Sequence, residues 1–269
     1  MKRGKTKLAQ ISVFIILGIV LVCAVGIAYY ISLKGDSSKE FFTGTKNTDI
    51  KNSILECTDS ATKDALEKVS LQGGYYAKPE NAFNIGITFI PYYYYEGKYL
   101  MPEKTKVENE LSSYVNDKIG NCIDNNKQGY DVSYNKANTK TTINKGEVMF
   151  LIDMPITIKD EKETIKIELK QAPVLQKSKL YEIMEVARYI TDSHKQYPDM
   201  LCITCVADLA EERNLYVNSF DMEDNKVLFI ISENETTRDF FSFEFMNKYG
   251  DIGGYQEDAS LPEMPEESK

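Results

Sequence analysis

The chain of 269 residues has no tryptophan and one histidine, His194. A single imidazole excludes a metal site built on several histidines, and any serine or cysteine triad would have to run through that residue. Neither a Gly-x-Ser-x-Gly elbow nor a Walker loop occurs. Basic residues are also in short supply. The 32 Lys and Arg stand against 41 Asp and Glu, a formal charge of −9, and they are interspersed, so nucleic acid is not an expected partner. Paired carboxylates are the one acid–base arrangement the composition leaves open. No catalytic, cofactor-binding or metal-binding residue is expected, and no cofactor.

Charge is missing altogether from one stretch, Leu8 to Leu33, between a basic start (Lys2, Arg3, Lys5, Lys7) and Lys34. Its strongly apolar part, Ile11–Leu33, is long enough as a helix to reach about 34 Å, the thickness of a bilayer core. From residue 35 on, 27 basic residues face all 41 acidic ones, a formal charge of −14. The positive-inside rule then predicts a cytoplasmic N-terminus and an extracytoplasmic remainder, with Tyr29 and Tyr30 in the interfacial belt. A cleaved secretory signal is disfavoured: its apolar region runs about 7–15 residues, and no Ala-x-Ala site closes this one.

The string Ala9-Gln-Ile-Ser-Val-Phe-Ile-Ile-Leu-Gly-Ile-Val resembles the N-terminus of archaeal type IV pilin-like proteins with a class III signal peptide. It is also similar to uncharacterised single-pass membrane proteins of small-genome archaea, which share this opening and a Cys-bearing helix followed by Gln-Gly-Gly-Tyr; here these are Cys57 and Gln72-Gly73-Gly74-Tyr75. The pilin resemblance implies cleavage between Ala9 and Gln10. Leu8 stands where a basic residue is usual, and Phe14 where many such proteins carry Glu.

The periodicity divides the chain into a basic tail (1–9), a transmembrane helix (10–33), a polar tether (34–48), two parts of an ectodomain (49–173 and 174–250, which could be one domain) and an acidic tail (251–269) expected to be disordered. The expected class is α+β: one N-terminal transmembrane helix, then an extracytoplasmic domain of antiparallel sheet with several packed helices. Ile50 to Val69 has helical spacing and stops at Gly73-Gly74. Ile87 to Met101 reads as a hairpin turning at Glu96-Gly97. Thr105 and Glu108 read as a capping box opening a helix through Cys122. Val148 to Ile158 alternates as one strand, pairing across Asp160–Glu163 with Ile165 to Leu169. Helices are expected over 180–190 and 200–212, and strands over 214–220, 226–232 and 239–246.

Four cysteines follow the apolar segment. An even number in an exported domain predicts disulfides, and economy of spacing pairs Cys57 with Cys122 and Cys202 with Cys205. A thioredoxin-like use of Cys202-x-x-Cys205 and a four-thiolate zinc site are the sharper alternatives. The densest aromatic region is Tyr92, Tyr93, Tyr94, Tyr95 and Tyr99. In a regular strand consecutive tyrosines point to opposite faces, so at least two of Tyr92 to Tyr95 are expected to face solvent or a partner.

These features predict a membrane-anchored, non-catalytic surface protein whose acidic ectodomain serves assembly or attachment. Its partners would be the bilayer through residues 10–33, a protein or glycan at the tyrosine hairpin, and further copies of itself. The alternatives are a pilin-like filament subunit and, from a different class, an exported thiol-redox or hydrolytic enzyme.

Overall fold

The computed structural model describes residues 48–127, 129–159, 164–196, 201–233 and 241–250. The expected tail, transmembrane helix, most of the tether and the acidic tail lie outside them. Among the described residues no helix is long and apolar enough to cross a membrane. From Ile50 on, the described residues pack as one unit. It is α+β, with four helices and sheets that are antiparallel except for one pair of strands.

Helix α1 (Thr48–Leu71) forms where expected. Its inward stripe, Ile50, Ile54, Cys57, Ala61, Ala65 and Val69, is at most 4% exposed. The two glycines end it as predicted, with the Gly73 and Gly74 amides donating to the Ser70 and Val69 carbonyls. Gly73 has φ +53°, and a Cβ there would come within 2.5 Å of both the Glu244 carbonyl oxygen and the Pro91 ring, so any other residue would push the helix end off the sheet beneath it.

That sheet has six strands: β1 (Ala82–Ile85), β2 (Thr88–Tyr95), β12 (Ser242–Lys248), β11 (Lys226–Glu233) and β10 (Leu215–Met222) in spatial order, with β3 (Lys98–Tyr99) also pairing with β2. The β2–β3 hairpin turns at Glu96 (φ +46°) and Gly97 (φ +89°), two positive-φ residues that match the right-handed twist of the strands. Strand β1 was not anticipated; its Ala82-Phe-Asn-Ile run is too short to show a period.

Helix α2 (Lys104–Asn126) follows, with Glu103 at its N-cap and no side-chain cap bond, so the expected Thr105–Glu108 capping box does not form. Glu108 turns instead to β5 (Asn138–Asn144), the end strand of a three-stranded sheet. Its Ile143, Thr141 and Thr139 amides donate to Glu108 Oε1 (2.9 Å), Ser112 Oγ (3.1 Å) and Asn116 Oδ1 (2.8 Å). Four residues of helix advance about 6 Å and two of strand about 6.8 Å, so the two periods stay in step over three contacts. Side chains thus close an edge that would otherwise bury unpaired amides.

The alternating run expected as one strand is two. β6 (Glu147–Asp153) pairs with β5 and β9 (Val174–Lys177), while β7 (Pro155–Lys159) pairs with β4 (Asp131–Tyr134) and β8 (Thr164–Glu168). The chain changes sheet at buried Met154, next to Pro155, whose missing amide suits a strand's first residue. The β7–β8 pairing is the hairpin expected from sequence; β4, β5 and β9 were not read. Helix α3 (Leu180–Gln196) lies against β2 and β11 of the large sheet and against β5 and β6 of the second. Its Leu180, Ile183, Val186, Ala187 and Ile190 are fully buried, as a helix covered on two sides requires. Helix α4 (Ile203–Glu212) packs on β10.

Cys57 and Cys122 are bonded, joining α1 to α2 across 65 residues. Closing a loop of that length stabilises by about 4 kcal/mol in the chain-entropy model. Cys57→Ser is therefore expected to cost about 2–5 kcal/mol in urea unfolding. Ser112→Ala, which strands the Thr141 amide at the buried β5 edge, should cost about 1–3 kcal/mol without loss of secondary structure by circular dichroism.

Candidate interaction surface

The two faces of the six-stranded sheet differ. One carries Phe229, Ile231, Phe243 and Phe245, all at most 1% exposed, on the side of the helices. Phe245 stacks on Phe229 with ring centres 5.2 Å apart and on Tyr93 at 4.5 Å. The Tyr93 hydroxyl donates to the Gly73 carbonyl at 2.9 Å, and complete burial holds its pKa well above the ordinary tyrosine value. The other face carries Phe83, Ile90, Tyr92, Tyr95, Leu228 and Met246 in a smaller cluster.

Tyr92, Tyr93 and Tyr94 are all buried and Tyr95 is half-buried, which corrects the expectation that at least two of the four face solvent or a partner: on the outer face Tyr92 is covered within the chain by Ile90 and Met246. A bulge sets which two rings lie on each face. Strand β12 runs parallel to β2 with Met246 opposite Tyr92, Asn247 opposite Tyr94 and Lys248 opposite Tyr95, so the register slips by one residue on β2. An extra residue breaks strict alternation. Tyr93 and Tyr94 consequently both serve the helix side, beside Phe245 and Tyr249 respectively, while Tyr92 and Tyr95 meet edge to face on the other. Tyr99, 38% exposed, reaches Met101 Sδ with its hydroxyl at 3.5 Å, and burial raises its pKa. The hairpin offers a partner Tyr95 and Tyr99, not a row of five rings.

The face with Tyr95 continues across the sheet and opens at β10. Tyr216, Phe220 and Met222 oppose Ser232, Leu228 and Lys226 of β11, which places them on this side, and they are 56%, 51% and 38% exposed. Lys248 pairs with Glu96 and lies 5.2 Å from the centre of the Tyr95 ring; Lys226 pairs with Asp224 at 3.0 Å and lies 5.3 Å from that of Phe83. Glu244 sits between these apolar residues, and partial burial raises its pKa. The β10 residues were missed at the sequence level. The available signal was that 215–222 has apolar side chains on both parities, Leu215 and Val217 on one, Tyr216, Phe220 and Met222 on the other, which exceeds what a half-covered end strand needs.

Of the remaining expected site residues, Cys202 and Cys205 are bonded to each other at the start of α4. His194 falls in the last turn of α3, with its side chain outside the described residues. Among the described residues no group of three or more His, Cys, Asp or Glu converges as a metal site. Buried Glu110 on α2 accepts from the Tyr76 and Ala77 amides of the α1–β1 loop at 2.8 and 2.9 Å and pairs with Lys106 at 2.6 Å, so its charge is used in holding that loop.

A carboxyl whose pKa is raised by folding favours the native state more as it takes up its proton. Glu244→Gln should therefore raise the melting temperature at pH 7, and the gain over wild type should fade as the pH falls to about 4, where the wild-type carboxyl is itself protonated. Paired melts at the two pH values check this.

No protein-family model matches the chain, and neither a curated protein nor a solved structure matches it.

Proposed function

We propose that this is a membrane-anchored surface protein whose outer domain, beginning near Asp49, serves assembly, with the open side and end of the six-stranded sheet as the contact and a second copy of the chain as the occupant. The observation that carries the reading is β10. Among the described residues it ends the sheet and has one edge of its eight-residue ladder without a neighbouring strand, and it exposes Tyr216, Phe220 and Met222. Two such strands set antiparallel about Ser219 keep like faces together, bringing Tyr216 opposite Met222 and Phe220 opposite Asn218 of the second copy, while Asp221 meets Val217 and not another acid. A long edge with apolar side chains is the kind of surface that pairs when nothing blunts it.

Placement at the surface is supported by the uncharged run of residues 8–33 behind four basic residues, by the −14 charge that follows it, and by two disulfides, which persist in oxidising compartments. The Gln10-Ile-Ser-Val opening supports a second reading, a pilin-like subunit processed after Ala9. N-terminal sequencing separates the two: a chain retaining its basic start fits the anchored reading, and one starting at Gln10 fits the pilin reading.

Tyr216→Lys combined with Phe220→Lys places like charges along the edge. Sedimentation of the full chain in detergent should show self-association weakened at least about tenfold, with the melting temperature nearly unchanged. Unaltered association would remove β10 as the contact.

A further inference from the structure

The two disulfides have different consequences for the fold. Cys57–Cys122 ties two helices together over 65 residues, and Cys57 is 2% exposed. Cys202–Cys205 encloses only Ile203 and Thr204 and joins no distant elements. Both of its cysteines are exposed.

Its setting is chemically specific. Cys202 is the N-cap of α4, a helix of ten residues, with its backbone outside the helical region at φ −70° and ψ 88°. Its Sγ accepts the Cys205 amide hydrogen at 3.2 Å, and the Thr204 hydroxyl lies 3.5 Å from the same sulfur. Its carbonyl already accepts the Val206 amide, so the sulfur is fixed at the positive end of the helix dipole. A thiolate at Cys202 would therefore find a backbone donor, a hydroxyl and a favourable dipole in place before it forms, which stabilises the reduced pair relative to a disulfide between two ordinary cysteines. Between the sulfurs, Ile203 is 71% exposed, an apolar contact for an incoming peptide at the point of reaction.

We propose that Cys202–Cys205 is a redox-active disulfide that oxidises dithiols in extended peptide segments. A substrate thiolate attacks Cys202 Sγ, forming a mixed disulfide; the Cys202–Cys205 bond breaks, and Cys205 leaves as a thiolate that takes a proton from water. The second substrate thiolate then attacks the substrate sulfur of the mixed disulfide, and Cys202 leaves as the thiolate stabilised at the N-cap. The substrate has lost two electrons and two protons and gained a disulfide. The protein has gained the two electrons as a dithiol. A low-molecular-weight disulfide, such as glutathione disulfide, restores the oxidised pair by two exchanges in the opposite sense. The helix supplies its effect in the last step, where the quality of the leaving thiolate sets the rate.

The test uses the full chain in detergent, an unstructured peptide with two cysteines as substrate, and Cys57–Cys122 as the internal control. After equilibration in graded glutathione and alkylation, peptide mapping should find Cys202–Cys205 opened at a glutathione concentration at least tenfold below that needed for Cys57–Cys122. The oxidised chain should form the peptide's disulfide at least tenfold faster than glutathione disulfide alone. Offered the peptide in its disulfide form, the Cys205→Ser chain should capture it as a mixed disulfide on Cys202, the peptide's second sulfur leaving as a thiol, and the Cys202→Ser chain should be captured at least tenfold more slowly through Cys205. Intact Cys57–Cys122 in each variant, with an unchanged circular dichroism spectrum, reports that the fold is kept. Equal resistance of the two disulfides to glutathione would overturn the proposal, as would equal rates for the two single variants or peptide oxidation no faster than with glutathione disulfide alone.

Discussion

The parallel pairing of β12 with β2 is the contact on which the rest of the large sheet depends. β2 comes from the first third of the described chain and β12 from its end, so this pair unites a hairpin that closes over α1 with the β10–β11–β12 meander. A parallel pair cannot be made by a tight turn and needs a long crossover. Here the crossover contains α2, two small sheets, α3 and α4. The bulge at Met246/Asn247 follows from forcing a tyrosine-rich strand to match a strand whose apolar residues alternate. It leaves two rings on each face but puts the adjacent Tyr93 and Tyr94 together on the helix side, and so determines which tyrosines remain for a partner.

A second constraint operates at β5. A strand at the end of a small sheet, lying beneath a helix, has amides pointing at side chains instead of at another strand, and Glu108, Ser112 and Asn116 are polar for that reason. The buried side of α2 is thus not wholly apolar: Glu110 and Ser112 are under 10% exposed alongside Val107, Leu111 and Val115. Burying a carboxylate is costly unless its lone pairs are filled, and the two amides and one lysine at Glu110 fill them. α3 is covered on two sides by sheets; beside its aliphatic residues it also buries Glu182 and Thr191, whose hydroxyl donates to the Ala187 carbonyl of its own helix.

Periodicity made the long elements legible. The α1 stripe with its two-glycine stop, the α2 and α3 helices and the 226–233 and 242–248 strands each contain enough residues for a pattern to show, and local spacing sufficed for both cysteine pairings. The unread elements fail for identifiable reasons. β4 and β9 have four residues each, no more than two periods, and β5 (Asn-Thr-Lys-Thr-Thr-Ile-Asn) hides its buried side in threonines, whose burial depends on α2. Val148 to Ile158 reads as one strand because alternation continues across Met154-Pro155 while the sheet changes. Thr105 and Glu108 have capping-box spacing, yet the N-cap is Glu103, two residues earlier, and Glu108 finds a better donor in a strand 35 residues away. The tyrosine surface was overestimated for the reason that β12 was not in view: register with a distant strand is not written in β2 itself.

The bond between Cys57 and Cys122 has a mechanical side. If the chain is pulled from its two ends, tension entering α1 crosses to α2 through the sulfurs, and the residues between them remain slack. That withholds 65 residues from extension, about 220 Å of contour at roughly 3.4 Å per residue. The β2–β3 hairpin and the greater part of both helices lie inside this loop. A domain tethered at one end and held at the other would therefore yield through the chain that follows Cys122, its C-terminal strands coming free while the loop keeps its length for as long as the bond holds.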